Sequence, residues 1–152
     1  MREELFFSAF IGTIQFAKAG KNDFKEVGVS DTNVVLNWDY NLDNPNALKT
    51  ITFGFYESSG IQFPFAFKDK GEDLIIRDAL PASDKNNFIF TADDTSLARL
   101  TLKEIFLNQN NRKFFCVIDL ENGQSTISNV ILKVYGKKGL LICFQYHVID
   151  PD

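Results

Sequence analysis

The chain has 152 residues, 45% of them hydrophobic and 24% charged, with a formal net charge of −4. That composition fits one globular domain of ordinary size and excludes a disordered chain. The acidic balance argues against a nucleic-acid surface, which needs a basic stripe. No run reaches the roughly 18 apolar residues of a spanning helix, so this segment is expected to make no membrane contact, though an anchor outside it is compatible with the sequence.

Two readings of the N-terminus stand. "LFFSAFIGTIQFAKAG" (Leu5–Gly20) is apolar, and Ala17-Lys18-Ala19 fits a leader cleavage site, which makes residues 1–12 a leader remnant. Glu3 and Glu4 after Arg2, and the interruptions at Gln15 and Lys18, point instead to a first strand near Thr13–Lys18. Alternation of period two then dominates after residue 24. "NVVLNWDY" sets Val34, Leu36, Trp38 and Tyr40 on one face, and "LKTITFGFY" opposes Ile51, Phe53 and Phe55 to Thr50, Thr52 and Gly54. "IQFPFAFK" alternates Ile61, Phe63, Phe65 and Phe67, and Pro64 places this strand at or near an edge, because proline cannot donate to a ladder.

"LIIRDAL" and "NFIF" are shorter apolar pieces. Ser96–Leu107 fits a strand ending in a helical turn, although Leu97, Leu100 and Glu104 also have helical spacing. "RKFFCVIDLENGQSTISNVILKVYG" predicts a hairpin. Phe114, Cys116, Ile118 and Leu120 share one face, Asn122-Gly123 supplies a two-residue turn, and Val130, Leu132 and Val134 continue the core face. Residues 137–152 read as a tail or linker. Many short strands without a long helix give an all-β, two-sheet sandwich or barrel.

Little in the sequence carries chemistry. His147 is the single histidine and has no nucleophile or metal cluster around it. Asp93-Asp94 and "DKGED" are charged loops, since a calcium site needs 6–8 convergent oxygens and no loop motif provides them. Cys116 and Cys143 lack metal-ligand neighbours at short spacing, and two cysteines make no disulfide framework. No catalytic residue, metal site or cofactor is assigned, and the chain is not expected to be an enzyme.

Taken in order, the strands resemble a variable-type (V-set) immunoglobulin domain over Thr13–Gly136. "NVVLNW" resembles strand B, "ITFGFY" C, "IQFPFAF" C′, "LIIRDA" C″, "NFIF" D, "SLARLTLKEI" E, "NNRKFFCVID" F and "NVILKVYG" G. The resemblance implies a two-sheet β-sandwich. It also brings departures: Trp38 stands where strand B carries a cysteine, and Phe53 where strand C carries a tryptophan. The Asp-x-Gly-x-Tyr-x-Cys motif reads Asn110, Arg112, Phe114 and Cys116, so the corner hydroxyl is lost. Asn87 stands where an arginine would pair with the E–F turn, so that ion pair is expected to be missing.

Cys116 is thus half of an absent disulfide, with Trp38 filling the other half. Losing the bridge costs roughly 2–5 kcal/mol. Burying an indole returns roughly 4–6 kcal/mol at most. Trp38, Phe53, Phe114 and Cys116 form the expected core of the site.

The missing cysteine pair and "LNWDY…TFGFY" are most similar to ectodomains of cnidarian allorecognition proteins. That similarity implies a cell-surface or extracellular recognition and adhesion domain whose protein partner is another copy of itself. Strand parity then sets Thr52, Gly54, Phe115, Val117, Ile131, Lys133 and Tyr135 on an outward partner-binding face, more apolar than a solvated face requires. The alternative is a soluble or intracellular sandwich module for a different protein or small ligand, which the lost disulfide fits equally well.

Overall fold

The computed structural model describes residues 14–17 and 22–136. The leader reading, the tail, Cys143 and His147 lie outside the described residues. In chain order the elements are β1 (Ile14–Phe16), β2 (Asn22–Gly28), β3 (Thr32–Asn37), β4 (Tyr40–Leu42), β5 (Leu48–Tyr56), β6 (Gln62–Asp69) and β7 (Ile75–Ile76). A short helix α1 (Ala82–Asn87) precedes β8 (Phe88–Ala92), β9 (Ala98–Glu104), β10 (Lys113–Leu120) and β11 (Ser125–Tyr135).

One sheet has six strands in the order β2-β11-β10-β5-β6-β7. Facing it are the three-stranded sheet β3-β9-β8 and the pair β1-β4. All neighbours are antiparallel except β2, which runs parallel to β11 from Asn22 beside Asn129 to Gly28 beside Tyr135. The buried side chains of both sheets meet in one apolar cluster, so the all-β sandwich expected from the alternation is the fold. The stretch after Ser96 is a strand followed by a helical turn, here a 3-10 turn at Leu107–Gln109.

Two local expectations change. The β10–β11 turn is not a two-residue loop: the Leu120 N–H donates to the Gln124 carbonyl and Gly123 N–H to the Leu120 carbonyl. Only Gly123 takes positive φ there, at 90°. This is a three-residue loop built on a left-handed glycine, the next most common hairpin closure.

In β6 the period-two reading breaks in the middle. Phe53 pairs with Ala66 but Gly54 pairs with Pro64, so Phe65 is the extra residue of a bulge. Phe65 and Ala66 are both buried, and Phe67, opposite Thr52, moves to the outer face.

The sandwich interior is strongly aromatic. Trp38 and Phe53 are in tilted contact at 6.1 Å, and Phe53, Phe90, Phe65, Phe88, Phe114 and Phe55 continue as a chain of ring contacts. Cys116 lies beside Phe53 on the adjacent strand, fully buried and unbridged. Burial pushes its thiol well above the usual range, which suppresses the thiolate. Cys116 should therefore resist thiol reagents in the native domain and react in denaturant; rapid native labelling at Cys116 in peptide mapping would contradict this placement.

The corner before β10 holds an ion pair that the sequence comparison expected to be missing. Arg112 forks onto Asp84 of α1 through Nη1 at 2.9 Å and Nη2 at 2.8 Å. The residue types have exchanged ends: the cation is on the turn and the carboxylate precedes β8. The guanidinium also lies 4.3 Å from the Phe55 ring centroid and 5.2 Å from that of Phe114, so it closes the aromatic chain at this end. Asn87, at the place of the expected arginine, instead holds Glu104 through both backbone groups, at 3.0 and 2.9 Å.

Candidate recognition face

Residues directly opposite one another in a ladder share a face, so the registers map the outer surface of the six-stranded sheet row by row. One row runs Ile127–Val117–Thr52–Phe67–Ile75 across β11, β10, β5, β6 and β7. Four of its five members are apolar, and Ile75 is 65% exposed. The next row is Asn129–Phe115–Gly54–Pro64. Beyond it, Ile131 stands between Phe24 of β2 and Lys113 of β10. Lys133 and Tyr135 follow on β11 beside Glu26 and Gly28. At the opposite end, Asp119 lies between Ser125 and Thr50, and Thr50 pairs with Asp69.

Phe115 has outward parity yet is only 2% exposed. The reason is Gly54. A methyl group there would sit 2.2 Å from Phe115 Cζ and 2.5 Å from the Phe63 carbonyl oxygen, so the ring occupies the space that a side chain would fill. Tyr56 then covers it, edge-on at 5.4 Å, and donates its hydroxyl hydrogen to Asn129 Oδ1 at 3.0 Å. Gln62 donates to the same hydroxyl, and Lys113 rests 4.5 Å above the tyrosine ring. Phe115 and Gly54 therefore support the face from beneath, and the surface above them is Tyr56, Gln62 and Lys113.

The face brings Thr52, Val117, Ile131, Lys133 and Tyr135 together as partly exposed or exposed groups. It adds Phe24, Tyr56, Phe67, Ile75 and Ile127. Parity along "ITFGFY" and along β11 was sufficient for Tyr56 and Ile127. Phe67 needed the bulge. Phe24, 62% exposed with Lys133 Nζ 5.4 Å from its ring, lies on a strand with no alternation to reveal it.

The aspartates of the neighbouring loops are occupied. Burial alone would raise the Asp93 carboxyl, but the backbone N–H groups of Leu97, Ser96 and Thr95 outweigh it and hold the carboxyl below its usual value. Asp94 is lowered chiefly by Lys68, at 2.8 Å, and accepts from the Gly71 N–H. Tyr40 is pushed up by burial first and by Asp93 and Asp94 next, and it donates to the Asp93 carbonyl.

No protein-family model matches the sequence, and no curated protein matches it. Among solved structures, murine CRIg is similar with a TM-score of 0.58 at 10% identity, over 82% of this chain and 98% of that one. The first immunoglobulin-like domain of human CD48 antigen is similar with a TM-score of 0.55 at 14% identity, over 81% and 91%. A chain from the structure of T cell activation by the bacterial superantigen toxic shock syndrome toxin-1 gives 0.58 at 10% identity, over 82% and 99%. With the sheet order and the single shared core, these likenesses make the fold an immunoglobulin-like β-sandwich.

Proposed function

We propose that this chain is a variable-type recognition ectodomain at the cell surface, and that it binds a second copy of itself through the outer face of the six-stranded sheet in self/non-self recognition. The observation that carries this is the apolar row from Ile127 to Ile75, flanked by Phe24, Ile131 and Tyr135. Support for the variable-type frame comes from β6 and β7 beyond β5 and from β2 along β11. Support for the surface role comes from the likeness to CRIg and CD48 antigen, and for self-recognition from the resemblance of "LNWDY…TFGFY".

Six strands spaced about 4.8 Å and six residues at about 3.3 Å give a patch of about 24 by 20 Å. Doubled, that is about 1,000 Å², the size of a weak, transient contact that works through many copies. Beads coated with the domain are expected to aggregate while the soluble form stays largely monomeric.

Val117→Asp sets a charge in the middle of the row and should abolish aggregation. Its cost in folding stability should be about 1 kcal/mol, the span of strand propensity at a partly exposed site. Undiminished aggregation of this variant would exclude the face.

The alternative, a module for a small ligand, draws on the cleft of about 610 Å³ beside Tyr56, Glu57, Asn111 and Lys113.

A further inference from the structure

The outer face is polarised along its strands. Lys113 opens β10 and Asp119 stands six residues later on the same side, about 20 Å away at the rise of a strand. Asp69 lies in the Asp119 row, across Thr50, and reinforces the acidic end. At the other end Lys133 Nζ donates to Asn111 Oδ1 and lies over the Phe24 ring on the β2 side, which leaves Lys113, on β10 in the middle of the sheet, as the cation of this end. Among the described residues the salt bridges are Lys68–Asp94, Arg99–Asp39 and Arg112–Asp84; Lys113, Asp119 and Asp69 take part in none of them. Between the two ends lie Phe115 and Val117, on either side of the midpoint.

Aligned sheets pack about 10 Å apart with strands within about 30° of each other. An aligned two-fold pair formed by this face therefore has two orientations. If the axis runs along β10, Lys113 meets Lys113 and Asp119 meets Asp119. If the axis runs across the strands, at the level of Cys116, each Lys113 meets the Asp119 of the other copy, twice per pair. Like charges juxtaposed in a contact are strongly disfavoured.

We infer that the second copy docks with its β10 antiparallel to this one, so that reciprocal Lys113–Asp119 pairs set the orientation. This rests on the self-binding reading above and specifies its geometry.

Charge exchange tests it. Lys113→Glu alone and Asp119→Lys alone should each weaken association about tenfold or more, seen in sedimentation at high concentration and in bead aggregation. The double variant carrying both substitutions should recover association to within about threefold of the parent. A mixture of the two single variants should associate better than either does alone, because both contacts are then oppositely charged. All variants should keep the parent's unfolding midpoint, since both side chains are partly exposed. A parent that does not associate would overturn self-binding and this geometry together. A parent that associates, with single variants that bind as well as it does or a double variant that stays weak, would overturn the geometry alone.

Discussion

Phe115→Asp is expected to abolish the cooperative unfolding transition or to lower stability by more than about 4 kcal/mol. Deleting a buried phenylalanine side chain costs about 3–5 kcal/mol by itself. The carboxylate would then sit under Tyr56 and against Gly54, at a position only 2% exposed, which adds the penalty of burying a charge. Urea unfolding followed by circular dichroism measures it, with Phe115→Leu as a milder companion. A folded Phe115→Asp with the parent's midpoint would place the ring in solvent and contradict its 2% exposure. Outward parity and accessibility thus separate at this position. Val117, one register step along, is the side chain that probes the surface without dismantling what lies beneath it.

Trp38→Ala should cost about 3–5 kcal/mol, as deletions of large aromatic core residues do. The indole is fully buried against Phe53, and its backbone N–H closes onto the Ala98 carbonyl, so both sheets meet at this residue. Trp38 Nε1 has no hydrogen-bond partner among the described residues. Trp38→Phe removes that donor while keeping most of the ring, and should cost much less than alanine. Native fluorescence should be blue-shifted and poorly quenched by iodide. A midpoint unchanged by Trp38→Ala would mean that Trp38 is not the packing element standing in for the bridge.

Sequence patterns located most strands because one face of each is buried, and a buried face imposes period two. The pattern was silent where that condition fails. β2 offers only Phe24 and Val27 three residues apart, and its partner β11 holds it through backbone hydrogen bonds that leave no mark on composition. The bulge at Phe65 shifted the second half of β6 by one residue, so Phe67 read inward when it faces outward. The ion pair at Arg112 escaped because a comparison of motif positions looks for one residue type at one place. The physical requirement is a cation and a carboxylate in contact, and Asp84 with Arg112 meets it with the ends exchanged. At the face itself, alternation gives the side on which Phe115 lies. It carries no information about a neighbouring glycine that lets the ring lie flat.

The parallel pairing of β2 with β11 has a mechanical consequence. Tension applied through the two flanks of the described segment pulls β2 toward its start and β11 toward its end. The short β1–β4 pairing is loaded first and carries little. The load then falls on β2 and β11 in shear, and the hydrogen bonds between Asn22–Gly28 and Asn129–Tyr135 share it instead of opening one after another. Forced unfolding is governed by the barrier to leaving the native state. A domain clasped this way holds under a pull applied to its two flanks far better than its equilibrium stability alone would suggest.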